Sequence, residues 1–228
     1  MKKKTLGALS VVMLAATLMF CGCSQTVLNY AENNISEVRH NIFEGETENY
    51  YITFSSGQRE EPYLLNGVSE DKVSFGVVSV LPKAGVEIKS ASFVVNVNDT
   101  KHSGELEASP FDDTFAADIE KSVSEADELS IEITCKGQTQ TAEMVCISCD
   151  FSIKSDKALE IAVDELSAEL ATLTDNGNIA MEVYIKIITD ADKTIGAHFW
   201  FVSFINSEGA ELSIIVAPDS GEIIAKKL

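Results

Sequence analysis

The chain has 228 residues, 45% of them hydrophobic, which is ample for one or two packed domains and excludes a disordered chain. Its formal net charge of −19 excludes a surface built to grip phosphate, so neither nucleic acid nor anionic lipid is an expected partner. An acidic surface of this kind serves solubility first.

Lys2, Lys3 and Lys4 precede an uncharged apolar run from Leu6 to Phe20, which closes with Phe20-Cys21-Gly22-Cys23 before Ser24 and Gln25 turn the chain polar. The run is shorter than the roughly 20 residues a helix needs to cross a bilayer, so its length and flanks fit a processed export signal. Gly22 followed by Cys23 resembles a bacterial lipoprotein signal, in which a small residue precedes a cysteine that carries diacylglycerol and becomes the new N-terminus. Cleavage before Cys21 would put bulky Phe20 where a small residue is needed. The resemblance implies a signal peptide over 1–22, lipidation of Cys23 and an extracytoplasmic location on the cell membrane; an ordinary secreted protein and an uncleaved anchor are the alternatives. Loss of the three lysines takes the charge from −19 to −22, so the lipid, rather than charge, is expected to hold the protein at the membrane.

Residues 23–38 are polar and Asn-rich, with Glu32, Asn33, Asn34 and Ser36, and read as a tether. From 39 to 151 the pattern is strands and turns. Tyr50, Ile52 and Phe54 alternate with polar neighbours, Val73 to Val80 is apolar on both faces toward its end, and Pro82 to Gly85 marks a turn into a strand over Val86 to Val97. Asn98-Asp99 turns into His102 to Ala108, Phe111 to Ile119 follows, and Lys136-Gly137-Gln138 joins Leu129 to Cys135 with Thr139 to Cys149. Seven or eight short strands at this spacing predict a β-sandwich of immunoglobulin-like architecture.

Apart from Cys21 and Cys23, three cysteines remain, Cys135, Cys146 and Cys149, and an odd count is no complete disulfide framework. Cys146-Ile147-Ser148-Cys149 reads CxxC, but on a strand residues three apart face opposite ways, so buried free thiols are expected. A disulfide involving Cys135 and a metal site are the alternatives.

After 152 the period changes. Ala158, Leu159, Ala162, Val163, Leu166 and Leu170 fall at helical spacing, with Ser155 as cap and Asn176-Gly177 beyond the end. Strands over Ile179 to Thr189, His198 to Ile205, Ala210 to Ala217 and Glu222 to Lys226 make a helix-plus-antiparallel-meander unit of α+β class over 152–228. Ala158 to Ala162, Trp200 to Phe204 and Asp219-Ser220-Gly221-Glu222-Ile223-Ile224 within it resemble a PepSY domain, with a helix before strands and a turn before the last strand. The resemblance implies an extracytoplasmic module without catalytic residues, in a family proposed to regulate peptidases.

Three histidines, His40, His102 and His198, without a Gly-x-Ser-x-Gly elbow indicate no triad, and the H-E-x-x-H zinc signature and phosphate-cradling glycine loops are absent. Asp190-x-Asp192-x-Thr194 lacks the glycine and glutamate of a calcium loop. Asp112-Asp113 and Glu60-Glu61 read as solvent-facing pairs, and Tyr50-Tyr51 and Phe199 to Phe204 as packing residues. No catalytic residue, metal or cofactor is assigned. The expected role is a non-catalytic binding or regulatory module for an envelope protein, a peptidase being one candidate; the alternative is a binder of a solute or cell-wall polymer. An aromatic-lined pocket between the two units would favour a solute, and a flat apolar sheet a protein.

Overall fold

Alternating apolar and polar side chains make the protein mainly β, with strands joined into one large mixed sheet. The computed structural model describes residues 26–110, 112–175, 178–189 and 198–228. The expected signal peptide of 1–22, Cys23, Asn176-Gly177 and the Asp190-x-Asp192-x-Thr194 segment lie outside the described residues.

A short helix, α1, covers residues 26–33. Strands β1 (Ile35–Glu46), β2 (Tyr50–Glu60), β3 (Lys72–Pro82), β4 (Ala91–Val97), β5 (Thr100–Ala108), β6 (Phe115–Ile119), β7 (Leu129–Cys135), β8 (Gln138–Glu143) and the two-residue β9 (Val145–Cys146) follow. Helices α2 (Ser155–Glu165) and α3 (Ser167–Thr172) lead through a small hairpin, β10 (Thr174–Asp175) and β11 (Asn178–Ile179), to β12 (Met181–Thr189), β13 (His198–Asn206), β14 (Glu211–Val216) and β15 (Ile223–Lys227). The sheet order is β15-β14-β13-β12-β1-β2-β3-β6-β5-β4-β7-β8. Among the described pairings only β1 with β12 is parallel.

Local chemistry explains several joints. Lys136 and Gly137 both have positive φ, 52° and 76°, and close the β7–β8 hairpin in two residues, the twist that flanking strands require. Asn98, at φ 50°, turns β4 into β5 and holds the chain at Glu128 and Asp127 through its amide. The strand expected from Val86 begins only at Ala91, and the one expected from Phe111 begins at Phe115.

The sheet encloses two cores. Phe43, Ile52, Phe54 and Val78 meet Phe93, Val95, Ile131 and Ile133, because the sheet folds over where β5 touches β6 at Glu107–Ala116 and Ala108–Phe115. The predicted stripe Ala158, Leu159, Ala162, Val163, Leu166 and Leu170 is buried throughout and packs on Val183, Ile185, Val202, Phe204 and Ile214. Each buried leucine there stabilises by about 2 kcal/mol.

Residues 26–38 are not a tether. Val27 and Ala31 of α1 are buried in the same core as α2, and Ile35 to Val38 begin β1 and pair with β12. Val27 and Ala31, four residues apart, face inward with Leu28 and Tyr30 packed beside them, and α2 and the sheet supply the rest of the core they join. The segment at Ser152 to Lys154 is fixed by Ile153, whose N–H donates to the Pro218 carbonyl at 2.8 Å and whose carbonyl accepts from the fully buried Trp200 indole at 2.8 Å.

The cysteines also depart from expectation. β8 ends at Glu143, and after β9 the chain tightens into a 3₁₀ turn at Ser148–Asp150. That turn returns Cys149 to Cys146, Cα to Cα 5.6 Å, and the two form a disulfide, leaving Cys135 as the buried free thiol. The strand geometry that would have kept them apart stops before Cys149. The turn is seated on β1: Ile147 N–H donates to the Ile42 carbonyl, and Ile42 N–H donates to the Ser148 hydroxyl.

At Gly57 the β1–β2 ladder passes a bulge between Arg39 and Asn41, and a Cβ on Gly57 would overlap the Val38 carbonyl. Gly57→Ala is therefore expected to lower the free energy of unfolding by about 3 kcal/mol, read from urea denaturation midpoints. An unchanged midpoint would show that the bulge yields without loss.

Candidate functional site

One edge of β1 is paired with β2 from Glu37 to Glu46, while the other edge is divided. Its start pairs with β12 at Val183 to Ile185, and its end pairs with β9 at Cys146 and Val145. From Lys186 onward β12 has no partner on β1, so the strands fork. Hollows lie at both ends of this seam.

At the beginning of β1, a pocket of about 410 Å³ is lined by Ser36, Arg59, Glu60, Tyr63, Tyr184 and Lys186 among others. β2 delivers Arg59 and Glu60, β12 delivers Tyr184 and Lys186, and the loop between β2 and β3 brings Tyr63. That loop is fastened to β12 by a buried carboxylate. Glu182, fully buried, accepts the Asn66 and Gly67 N–H groups at 2.7 and 2.9 Å on Oε1, and its Oε2 lies 2.6 Å from the Tyr184 hydroxyl. The Tyr63 hydroxyl is 2.9 Å from that of Tyr184, which extends the chain to the pocket mouth. Burial first, then these hydrogen bonds, push the Tyr184 phenol far above its usual range, so it stays a donor.

Glu60 is the opposite case. It is 2% exposed, yet among the described residues neither carboxylate oxygen has a hydrogen-bond partner, and the nearby Ser36 hydroxyl is equally buried and unmet. Native structures rarely leave such groups unpaired. Burial raises the Glu60 pKa, the nearby Ser36 hydroxyl and Glu70 backbone N–H oppose that shift without reaching hydrogen-bonding geometry, and the charges of Glu182 and Glu70 reinforce it. Lys72, opposite Glu60 on β3, has its own pKa lowered by burial while Glu60 pulls it back up. The expectation that Glu60-Glu61 faces solvent fails at Glu60, because its neighbours Ser36 and Glu182 come from segments far away in sequence. The available sign was Glu182 itself, one acid inside the apolar run Met181 to Ile188.

At the fork, a hollow of about 270 Å³ is lined by Glu44, Tyr51, Thr53, Thr189 and His198. The His198 ring has its Nδ1 3.2 Å from the Thr189 hydroxyl and its Nε2 3.6 Å from Glu44, and its side chain is nearly buried. The carboxylate distance is too long for a hydrogen bond. His40, on the β1 bulge, has Nδ1 3.0 Å from the Ser155 hydroxyl, so Ser155 bonds the imidazole and does not cap α2, whose cap position is Lys154. Burial lowers the His40 pKa and Asp156 opposes this. Among the described residues neither imidazole has a carboxylate hydrogen-bonded to its second nitrogen, the arrangement that orients a catalytic base.

The remaining candidates are structural. Asp112 accepts from Thr114 N–H in a turn, Tyr50 is buried, and exposed Tyr51 carries the Lys83 ammonium 4.7 Å from its ring centre. His102 sits on β5. Among the described residues no group of three His, Cys, Asp or Glu side chains could hold a metal ion, and no helix is long and apolar enough to cross a membrane. No family model matches the chain, and neither a curated protein nor a solved structure matches it.

The unpaired Glu60 yields a pH signature. Its folded pKa lies above the unfolded value of about 4.3. Stability is therefore full at acid pH and falls as pH rises through the folded pKa. Glu60→Gln is expected to melt like the wild type near pH 4 and at a higher temperature near pH 8, measured by circular dichroism. Parallel melting curves across that range would refute the raised pKa.

Proposed function

We propose that this is a lipid-anchored extracytoplasmic binding protein, without catalysis of its own, that takes its ligand in the pocket where β1, β2 and β12 meet. The observation that carries the reading is the unpartnered, buried Glu60 in that pocket: a charged group left without its hydrogen bonds is costly unless something else supplies them. Tyr63 and Tyr184 give the aromatic lining that favours a solute.

In this reading β1 to β8 form an immunoglobulin-like β-sandwich, and α2 to β15 a PepSY-like α+β unit, with Cys23 as the lipid attachment. The Cys146–Cys149 disulfide supports an oxidising compartment outside the cytoplasm. A second reading keeps the C-terminal sheet as a docking face for an envelope protein. It is favoured by Phe201 and Ile215, paired across β13 and β14 on the face away from the helices and only half-buried.

Fatty-acid labelling of cells should mark the wild type and not Cys23→Ala; equal labelling would remove the anchor from the proposal. A photocrosslinking residue at position 63 is expected to yield a small mass adduct on intact cells. Crosslinks to a protein from position 201, with none from position 63, would replace the solute reading with the docking one.

A further inference from the structure

We infer that the seam pocket recognises a cationic nitrogen, a primary ammonium or a guanidinium, seated against Glu60 and Ser36; this rests on the pocket being the ligand site. The argument is an account of which charges are already met. Arg59 is paired with Asp118, and Lys186 with Glu37, which also takes Arg39. Glu182 has its three donors. The cations that line the pocket are thus engaged, and what remains open is acceptor capacity: both Glu60 oxygens and the Ser36 hydroxyl.

An alkylammonium brings three donors and a guanidinium five, with no acceptor, which matches that deficit in kind. An anion would instead approach Glu37, Glu60 and Glu61, all lining the same hollow, whose lining cations Arg59 and Lys186 are already paired. Lys72 is the nearest internal competitor, but its ammonium makes no hydrogen bond to Glu60. The Tyr63 ring, 60% exposed beside the pocket, offers a face for a cation or its alkyl stem. A volume of about 410 Å³ admits a molecule of amino-acid size or one basic side chain of a peptide.

Binding and protonation are opposed in such a site. The empty pocket holds Glu60 toward its protonated form, and a cation requires the carboxylate, so binding expels a proton and tightens as pH rises.

The test is calorimetric titration of the full chain in detergent with cadaverine, agmatine, 1,5-pentanediol and glutarate, together with a glycine-flanked lysine peptide and its Nε-acetylated form. Cadaverine and agmatine are expected to bind, pentanediol and glutarate not. Glu60→Gln, checked for folding by its melting curve, should weaken the diamines at least tenfold, and Ser36→Ala severalfold. Wild-type affinity should rise by up to tenfold per pH unit below the Glu60 pKa, a dependence absent from Glu60→Gln. Binding of the lysine peptide well above cadaverine would make the source a partner's side chain, and equal binding a free amine. Glutarate binding without diamine binding, lost when Tyr184 is changed to Phe, would overturn the charge class and leave the pocket as a ligand site. Diamine binding unaltered by Glu60→Gln would overturn the assignment to Glu60. Absence of binding by every probe would overturn the ligand site together with its class.

Discussion

The protein depends on how the hydrogen-bonding edge of β1 is divided. A strand offers a fixed row of N–H and C=O groups on each side, and β1 gives one whole side to β2. Its other side serves β12 with its first residues and β9 with its last. The bulge at Arg39 to Asn41 separates these two commitments, and Asn41 spends its side-chain amide on the Val123 carbonyl there. As a result Val38 belongs to the helix-covered core and Phe43 to the other. A one-residue slip of β1 would exchange inward and outward side chains in both cores at once, so each core holds the register of the other.

What could be read from the chain is what depends on neighbours in sequence. The helical stripe from Ala158 to Leu170, the Lys136-Gly137 hairpin and the four C-terminal strands follow from local periodicity and turn chemistry, and they lie within a few residues of expectation. The failures share a different cause. The helix at residues 26–33 interrupts its apolar residues Val27, Leu28, Tyr30 and Ala31 with Asn29 and ends on Glu32 and Asn33, and its core is completed by Leu159 and its neighbours, more than a hundred residues away. The Cys146–Cys149 bridge exists because the strand ends early to let Ser148 reach Ile42. The pocket unites Ser36, Glu60 and Tyr184 through sheet register, and no spacing rule connects these positions.

Two buried glutamates, on the two strands that flank β1, show how differently one side chain can be used. Glu182 organises a loop: its three donors convert a buried charge into a fastening for Asn66, Gly67 and Tyr184. Glu60 organises nothing within the chain and weakens it as the carboxyl ionises. A fold optimised only for stability would carry an apolar residue there, which is why the proposed ligand site is centred on this carboxylate.

The parallel pairing of β1 with β12 also sets an order of events. Glu46 ends β1 about 135 residues before Met181 begins β12. During synthesis the β1–β2 hairpin can form early and β9 can cover the end of the opposite edge, but the start of that edge, Ile35 to Val38, stays open until β12 is made, as does part of the seat of the first helix. Closing so long a loop is slow, and an unpaired edge is open to other chains in the meantime. The strand that unites the finished molecule is therefore also its most exposed element while the molecule is being made.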